Sequence, residues 1–218
     1  MTAMKKMFYT LLVVLSAAAC GGRGDRAETD IRDMEWTKTD PMDLAMKPVA
    51  AFAQDWMALG VKSKDGINAM TVAWGQVGEL WGRPVATVFV SKDRYTKHML
   101  DEAGQFTLSA FPQTPGSRQI LTYIGSHSLS DEPDKLENAG LTVELSDAGN
   151  PLFKEADLAI ECKVIYSEEF KPELLPEAVK PMYERMGLHT FYIGEITGVY
   201  QKKSVGVPVS VVDEPVAE

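Results

Sequence analysis

The ten residues Ser91–Leu100, "SKDRYTKHML", concentrate hydrogen-bonding side chains at one corner of the chain. They follow "RPVATVFV", whose alternating β-branched residues predict a strand, and they lead into a short helical pattern that ends at Gly104. A helix N-terminus needs one capping side chain, which Asp93 or Thr96 could supply. The arginine and the tyrosine beside them exceed that need. The corner therefore suits an anion at the positive end of a helix, with an ordinary capped surface turn as the alternative.

The composition of the chain excludes one large class of function. The sequence has 218 residues, a hydrophobic content of 45% and a formal net charge of −9. Its length suits one generous domain, or one domain with appendages, and its hydrophobic content is ordinary for a protein with a packed core. No basic stripe interleaved with aromatic residues occurs, so we predict that the protein does not bind nucleic acid.

The first 20 residues, "MTAMKKMFYTLLVVLSAAAC", indicate export in a bacterium. Two lysines precede an apolar run, Met7–Leu15, that is too short for a bilayer span of about 20 residues. The pattern is typical of a secretory signal peptide, which we place at residues 1–19. Cys20 follows three alanines as in a bacterial lipobox, which predicts lipidation of Cys20 and a cell-envelope lipoprotein held to the membrane by its lipid only. Ordinary cleavage and release is the alternative.

Lipidation of Cys20 would leave Cys162 as the only thiol of the mature chain, which excludes an internal disulfide. Cys162 lies in the strand-like run "DLAIECKVIY", where a buried apolar role is favoured over a reactive thiol. The polar, glycine-bearing residues after Cys20 predict a lipidated, flexible tether over residues 20–40. The main domain is expected at residues 41–203, with a C-terminal tail at 204–218.

The hydrophobic pattern of the main domain is mostly that of strands. Strands are predicted at Ala58–Ser63, Met70–Gly75, Val85–Val90, Phe106–Ala110, Ala156–Ile165 and Thr190–Val199. Helices are predicted at Arg94–Ala103, Ser117–Gly125, Asp134–Ala139 and Glu173–Met186. Many strands with few, scattered helices favour a barrel with helical decoration. The βαβα alternation and G-x-G-x-x-G motif of a doubly wound nucleotide-binding fold are missing from the sequence.

The sequence offers few residues for chemistry without a cofactor. Its three histidines, His98, His127 and His189, lack metal-ligand spacing, so we predict no metal site. The segment "GSHS" at 125–128 is weak evidence for a serine nucleophile, because a polar loop explains it equally well and no G-x-S-x-G motif occurs. If the protein catalyses a reaction, a cofactor is expected to carry it.

Five segments in register resemble one known family. They are "GINAMTVAWG", "WGRPVATVFVSKDRYTKHMLDEAGQFTLSAFP", "IGSHS…DKLENAGLT", "EADLAIECKVIY" and "HTFYIGEITGVY". Together, over about Val49–Tyr200, they resemble the flavoredoxin-like branch of the flavin reductase-like family. The resemblance implies a mainly β (α+β) fold, a split β-barrel with peripheral helices that binds FMN. It also implies a flavin reductase-like oxidoreductase or a flavin electron carrier, and a homodimer, because the family's flavin sites lie at subunit boundaries.

The resemblance assigns the opening corner to the FMN phosphate, held by Arg94, Tyr95 and Thr96. An arginine there would add a charge-assisted contact to the helix N-terminus. The other implied flavin contacts are Asn68, Ala69, Met70, Thr71, Trp74, Ser91, Ser109, Phe111, Ser126 and Lys135. A turn role for Asn68 and a core role for Trp74 stay open as alternatives.

His189 is the one catalytic residue that the resemblance suggests. Flavin reductases often carry an aspartate just before this histidine, where this chain has Leu188, so a purely structural role stays open. NAD(P)H or a redox partner protein would supply or receive electrons. Since reduced nicotinamide cofactors are cytoplasmic, an exported member would use a partner protein or use its flavin otherwise. The alternative function is a non-enzymatic split-barrel binding module that has lost flavin chemistry.

Overall fold

An antiparallel sheet curls through the part of the chain that the computed structural model describes, residues 29–202. Its strands run in the spatial order β3-β2-β6-β9-β10-β5-β4, and β1 pairs with β10 outside that order. The strands of this sheet are β1 (Thr37–Thr39), β2 (Met57–Ser63), β3 (Gly66–Val72), β4 (Gly75–Leu80), β5 (Arg83–Ser91), β6 (Gln105–Ala110), β9 (Leu158–Glu169) and β10 (His189–Gln201). A separate hairpin is formed by β7 (Val143–Leu145) and β8 (Pro151–Phe153).

The interior of the curled sheet is the main hydrophobic core. Alternate residues of each strand point into it, such as Val88 and Val90 of β5 and Tyr192 of β10. The neighbouring residues Phe89 and Phe191 are half-buried on the outer face of the sheet. The strands β3 and β5 approach each other as the sheet curls. The predicted mainly β fold, a split β-barrel with peripheral helices, is confirmed.

Helices decorate the barrel rather than alternate with its strands. They are α1 (Pro48–Ala50), α2 (Tyr95–Ala103), α3 (Pro115–Ser126), α4 (Lys135–Asn138) and α5 (Lys180–Met186). Short 3₁₀ turns span Ile31–Asp33, Pro41–Asp43 and Pro172–Leu174, and a π-helical turn spans Ala51–Asp55. Helix α3 packs Leu121 and Ile124 into a second core against the outer side of the sheet. Within residues 29–202, no helix has both the length and the hydrophobicity needed to cross a membrane.

The structure corrects the predicted tether at residues 20–40. Thr37–Thr39 form strand β1, which pairs with the C-terminal end of β10. Just before it, the Lys202 ammonium donates to the Ile31 carbonyl oxygen at 2.9 Å. The folded part therefore begins before residue 41, because backbone pairing and this contact attach the segment to the barrel. The predicted signal peptide, Cys20 and the tail at 204–218 lie outside the described residues.

Two predicted elements differ from the structure. The strand predicted at Met70–Gly75 lies earlier, at Gly66–Val72, and leaves Trp74 in the connection to β4, a strand that the sequence analysis missed. The helix predicted at Glu173–Met186 is reduced to a 3₁₀ turn and the short α5. Pro176 explains the break, because proline disfavours helical geometry in the residue before it and cannot donate a helical hydrogen bond.

Candidate functional site

The N-terminus of α2 has no side-chain cap. Its N-cap residue, Arg94, has an extended backbone conformation. The sequence offered Asp93 or Thr96 as a cap, but neither side chain accepts a hydrogen bond from the first N–H groups of the helix. The backbone N–H of Arg94 donates to the Ser91 carbonyl oxygen at 3.1 Å, which closes the turn after β5. The first N–H groups of a helix have no partner within it. The corner therefore offers donors and the positive end of a nine-residue helix.

A buried polar network joins this helix start to strand β3. The side-chain nitrogen Nδ2 of Asn68 donates to the Thr96 hydroxyl at 3.0 Å. The side-chain oxygen Oδ1 of Asn68 accepts from the Lys135 ammonium at 3.2 Å. Lys135 also donates to the Ala69 carbonyl oxygen at 2.7 Å. Asn68, Thr96 and Lys135 are all at most 3% exposed. The turn alternative for Asn68 is therefore wrong, because this residue lies within β3 and cross-links three elements.

Two cations face this network without a carboxylate to neutralise them. Burial, and next the charge of Arg94, lower the pKa of Lys135 to about 8, although Glu132 acts in the opposite direction. Burial also lowers the pKa of Arg94, whose guanidinium donates to the Gly125 carbonyl oxygen at 2.5 Å. Among residues 29–202, neither cation forms an ion pair with an acidic side chain. Lys135 is buried and Arg94 is half-buried, and two such positive charges that repel each other are costly unless an anion joins them.

The two cations and the helix start line one small cavity of about 80 Å³. Its lining residues are Asn68, Met70, Asp93, Arg94, Tyr95, Thr96, Ser126, His127, Ser128, Leu129 and Lys135. The donors are two cations, several hydroxyl groups and the backbone N–H groups of the helix start, which is the set that binds phosphate. The residues present therefore fit the phosphate group of a nucleotide-like cofactor.

A second group of predicted residues meets at the same end of the barrel. Trp74 packs against His189 with 4.9 Å between ring centroids, and His189 pairs with Ser91 in the sheet. The Ser91 hydroxyl donates to the Met186 carbonyl oxygen at 3.1 Å. Trp74 is 37% exposed, so the core alternative for this residue is wrong.

His189 is buried, and its Nδ1 has no hydrogen-bond partner among the described residues. Burial lowers its pKa, against the opposing effects of a hydrogen bond to the Gly187 backbone and of the Asp93 carboxylate. His189 is therefore neutral at pH 7. Leu188 stands directly before His189 in the sequence, where related proteins often carry an aspartate. In the structure the Asp93 carboxylate lies near enough to His189 to act on its pKa.

Besides Trp74, Ser91 and His189, four other predicted positions lie outside the lining of the small cavity. Ala69 contributes its carbonyl oxygen to Lys135, and the Thr71 hydroxyl donates to the Leu121 carbonyl oxygen of α3. Ser109 and Phe111 are buried on and just after β6, against the second core. The Ser109 hydroxyl is buried, and no residue in the described part of the chain forms a hydrogen bond with it. The cofactor roles of these four residues stay predictions.

The lining also contains residues that the sequence analysis did not select. Among them, His127 stacks on Tyr123 with 3.9 Å between ring centroids and approaches the Ser126 hydroxyl at 3.1 Å. The polar segment "GSHS" was the sequence feature that could have identified His127 and Ser128. The family resemblance pointed only to Ser126 within it. Asp93 was visible only as a possible cap. These residues reach the cavity because α3 ends beside the start of α2.

Three exposed residues near α2 approach one another in the manner of metal ligands. Their ligand atoms, from Asp65, His98 and Glu102, lie within 4.8 Å of one another. The Lys64 ammonium already pairs with Glu102 at 2.9 Å, and the Tyr95 hydroxyl donates to Asp65 at 3.3 Å. The arrangement is therefore satisfied within the protein, and we assign no metal to it.

The fold and the corner together define the class of protein: a split β-barrel with a cluster of cations and hydrogen-bond donors at one end. The family model of the flavin reductase like domain matches residues 49–211, and the chain belongs to that family. The resemblance seen in the sequence is confirmed. No curated protein matches the chain significantly.

Solved structures with similar folds include an FMN-binding domain and two flavoredoxins. An FMN-binding domain of a flavin reductases-like enzyme from Shewanella baltica OS155 is 20% identical, covering 78% of this chain and 78% of its own, with a TM-score of 0.56. Flavoredoxin of Desulfovibrio vulgaris (Miyazaki F) is 25% identical, covering 77% of this chain and 78% of its own, with a TM-score of 0.54. Flavoredoxin from Methanosarcina acetivorans is 23% identical, covering 70% and 71%, with a TM-score of 0.55.

Proposed function

We propose that the protein binds FMN and acts as a flavin reductase-like oxidoreductase or a flavin electron carrier. The observation that carries the proposal is the pair of buried Lys135 and half-buried Arg94 beside the uncapped start of α2, with no acidic partner among the described residues. A phosphate dianion would satisfy both cations and the free N–H groups at once. Membership of the flavin reductase like family supports FMN as the molecule that brings it.

The side chains around the start of α2 would bind the phosphate of the cofactor. Arg94, Tyr95, Thr96 and Lys135 would hold the phosphate, with Asn68 positioning the Thr96 hydroxyl and the Lys135 ammonium. The redox chemistry belongs to FMN, which accepts electrons from one molecule and passes them to another when it is bound. The protein binds the cofactor, orients it and excludes water.

His189 and Trp74 are the residues available for the ring and the reacting molecule. The exposed part of the Trp74 ring offers an aromatic wall. Burial favours the neutral form of His189, and its Nδ1 has no hydrogen-bond partner within residues 29–202, so it can accept or hold a proton at that atom. Electrons would come from NAD(P)H or from a redox partner protein.

We also propose a homodimer and an exported, lipid-anchored chain. The homodimer is supported by the commonness of twofold contacts among oligomers and by the exposed Trp74 beside the proposed site. Export and lipidation of Cys20 are supported by the lysines, the apolar run and the alanines that precede this cysteine in the sequence.

Replacing Arg94 by alanine tests the phosphate assignment. Riboflavin has the ring and ribityl chain of FMN without the phosphate, so Arg94→Ala should weaken FMN binding and leave riboflavin binding nearly unchanged. A charge-assisted hydrogen bond is worth roughly 1.5–3 kcal/mol, which is about 10- to 150-fold in affinity. Fluorescence titration of both flavins into wild-type and variant protein measures the difference.

Arg83→Ala is the matched control, because Arg83 is an exposed arginine paired with Glu195 and lies outside the cavity lining. It should leave the affinities for both flavins unchanged. An Arg94→Ala protein that keeps its full preference for FMN over riboflavin would reject the phosphate assignment. Wild-type protein that retains no flavin absorption after incubation with FMN and removal of unbound flavin would reject the proposed function and favour a binding module without flavin.

A further inference from the structure

The connection between β9 and β10, residues 170–188, lies over the outer face of the barrel, and an open cavity of about 770 Å³ lies between them. We call it the connection cavity. One wall is the outer face of the sheet, and the opposite wall is built from aliphatic side chains of the connection. Its aromatic lining comes from both walls and from the β3–β4 connection, and consists of Trp74, Phe89, Tyr166, Phe170, Tyr183 and Phe191.

The aromatic rings of this cavity form a connected cluster around Phe170. Its ring stacks on Phe89 at 5.7 Å between centroids with 15° between planes, and it meets Phe191 at 5.7 Å. Tyr183 of α5 approaches the same ring edge-on at 6.0 Å. Phe89, Phe170 and Phe191 are all half-buried, so ring surface still faces the open space. Such surface favours another aromatic ring, which can stack or meet it edge-on.

The charged residues at the rim set which molecules can enter. Glu168 pairs with the Lys171 ammonium at 3.1 Å, so their charges offset each other. Glu169 is exposed, lines the cavity and has no ion-pair partner among the described residues. The rim is therefore net negative, and an anionic molecule would lose free energy by repulsion on entering.

The size and construction of the cavity favour a small molecule over a protein. A volume of about 770 Å³ lies within the range of roughly 300–1,000 Å³ that small-molecule sites occupy. The walls on two sides belong to this chain itself, so the space is a cleft rather than a flat face. We propose that the connection cavity binds a neutral aromatic molecule. Through Trp74, which packs on His189, this molecule would lie beside the proposed flavin site.

A pair of fluorescent probes with one skeleton tests this assignment. N-phenyl-1-naphthylamine is neutral, and 8-anilino-1-naphthalenesulfonate adds one negative charge to the same anilinonaphthalene framework. The chain lacking only residues 1–20, which keeps every described residue, is titrated with each probe in the absence of flavin. We expect saturable binding of the neutral probe at about one per chain and binding of the sulfonate weaker by about tenfold or more, which is about 1.4 kcal/mol.

Three variants locate the neutral probe. Phe170→Ala removes the central ring, and loss of an aromatic contact of about 0.5–1.5 kcal/mol weakens binding by about 2- to 12-fold or more. Met182→Trp fills the cavity from α5 without removing any ring, so it keeps the test valid if Phe170→Ala loosens the connection. Trp81→Ala is the control, because Trp81 is an exposed aromatic residue (68%) outside the cavity lining, and its loss should leave probe binding unchanged.

Four results would overturn the proposal. They are failure of the neutral probe to bind, equal affinity for both probes, unchanged binding in Phe170→Ala and Met182→Trp, or loss of binding in Trp81→Ala. If the neutral probe fails and light scattering gives a dimer mass, a second copy of the chain covers the cavity instead. Flavin titration is a separate measurement, so retention of FMN binding in any of these cases rejects the connection cavity alone.

Discussion

Lys135 is the residue on which the electrostatics of the proposed phosphate site depend. Its ammonium is fully enclosed, donates to two neutral oxygens and lies near the Arg94 guanidinium. A buried lysine with neutral partners loses its proton more readily than an exposed one, because the charged form is poorly solvated. The pKa of about 8 places this change within an accessible pH range.

The affinity for FMN should consequently fall as the pH rises above about 8. In the ligand-free protein Lys135 is charged below this pH and neutral above it, so phosphate binding at higher pH requires uptake of a proton. Linkage then predicts a loss of up to about tenfold in affinity per pH unit. The phosphate itself, with a second pKa of about 6, is already a dianion throughout this range. Titrations between pH 7 and 9.5 measure the slope.

Lys135→Met and riboflavin are the controls for this pH dependence. The variant should bind FMN more weakly at pH 7 and show no change of slope near pH 8, because the titrating group is gone. Riboflavin, which shares the ring system, reports any ionisation of the ring. Equal slopes in wild type and Lys135→Met would assign the pH dependence to another group.

The sequence could identify part of this site and not the rest. Arg94, Tyr95 and Thr96 are adjacent, follow a strand and begin a helix, so local pattern and helix electrostatics together predicted an anion there. The pairing of Asn68 with Thr96, and the approach of Asp93 to His189, join residues far apart in the chain. Such contacts depend on how the sheet curls, which hydrophobic periodicity does not specify.

At the scale of elements, β10 is the strand on which the barrel depends most. It pairs with β9 along almost its whole length and with β5 on its other side, and its pairing with β9 shifts register near Gly194. A β-carbon at Gly194 would lie 2.7 Å from the Cys162 β-carbon and 2.8 Å from the Phe106 ring. Only glycine fits where the strand crosses this part of the core.

Gly194→Ala should therefore destabilise the fold by about 1–3 kcal/mol, the usual cost of overpacking a core. Gly78→Ala in β4 is the matched control, because a β-carbon there would meet nothing within 4 Å and its backbone is ordinary strand. It should change the free energy of unfolding by less than about 0.5 kcal/mol. Urea denaturation measures both. Equal effects of the two substitutions would contradict the packing argument.

The elements that the sequence predicted well are those with one strong, uninterrupted pattern. The alternating residues of β5 and the apolar run of β9 are clear, because one face or both faces of these strands are buried. Strand β4 was missed, since it lies at the end of the sheet and "GQVGEL" contains two glycines and two polar residues. The helix predicted at Glu173–Met186 was wrong over its first half, because Pro176 prevents a continuous helix there.

At the scale of the whole molecule, export and lipidation concern the N-terminal segment before the barrel. Cys20 lies outside the described residues, so the prediction depends on the sequence before it. Labelled palmitate supplied to cells that produce the full chain should be incorporated into the wild type and not into Cys20→Ala. Equal labelling of the two proteins, or none in either, would reject lipidation. Cys162→Ala is the control for labelling at the buried thiol and should behave as the wild type.

The pairing of β1 with the far end of β10 decides which end of the barrel the N-terminal segment joins. The chain enters the barrel beside Gln201 and Lys202, whereas His189 and the proposed site lie at the other end of the same 13-residue strand. At about 3.3 Å per residue the two ends are roughly 40 Å apart. A protein anchored through its N-terminus would thus be attached at the end of β10 opposite to the proposed flavin site, so the attachment itself would leave that site open to diffusing partners.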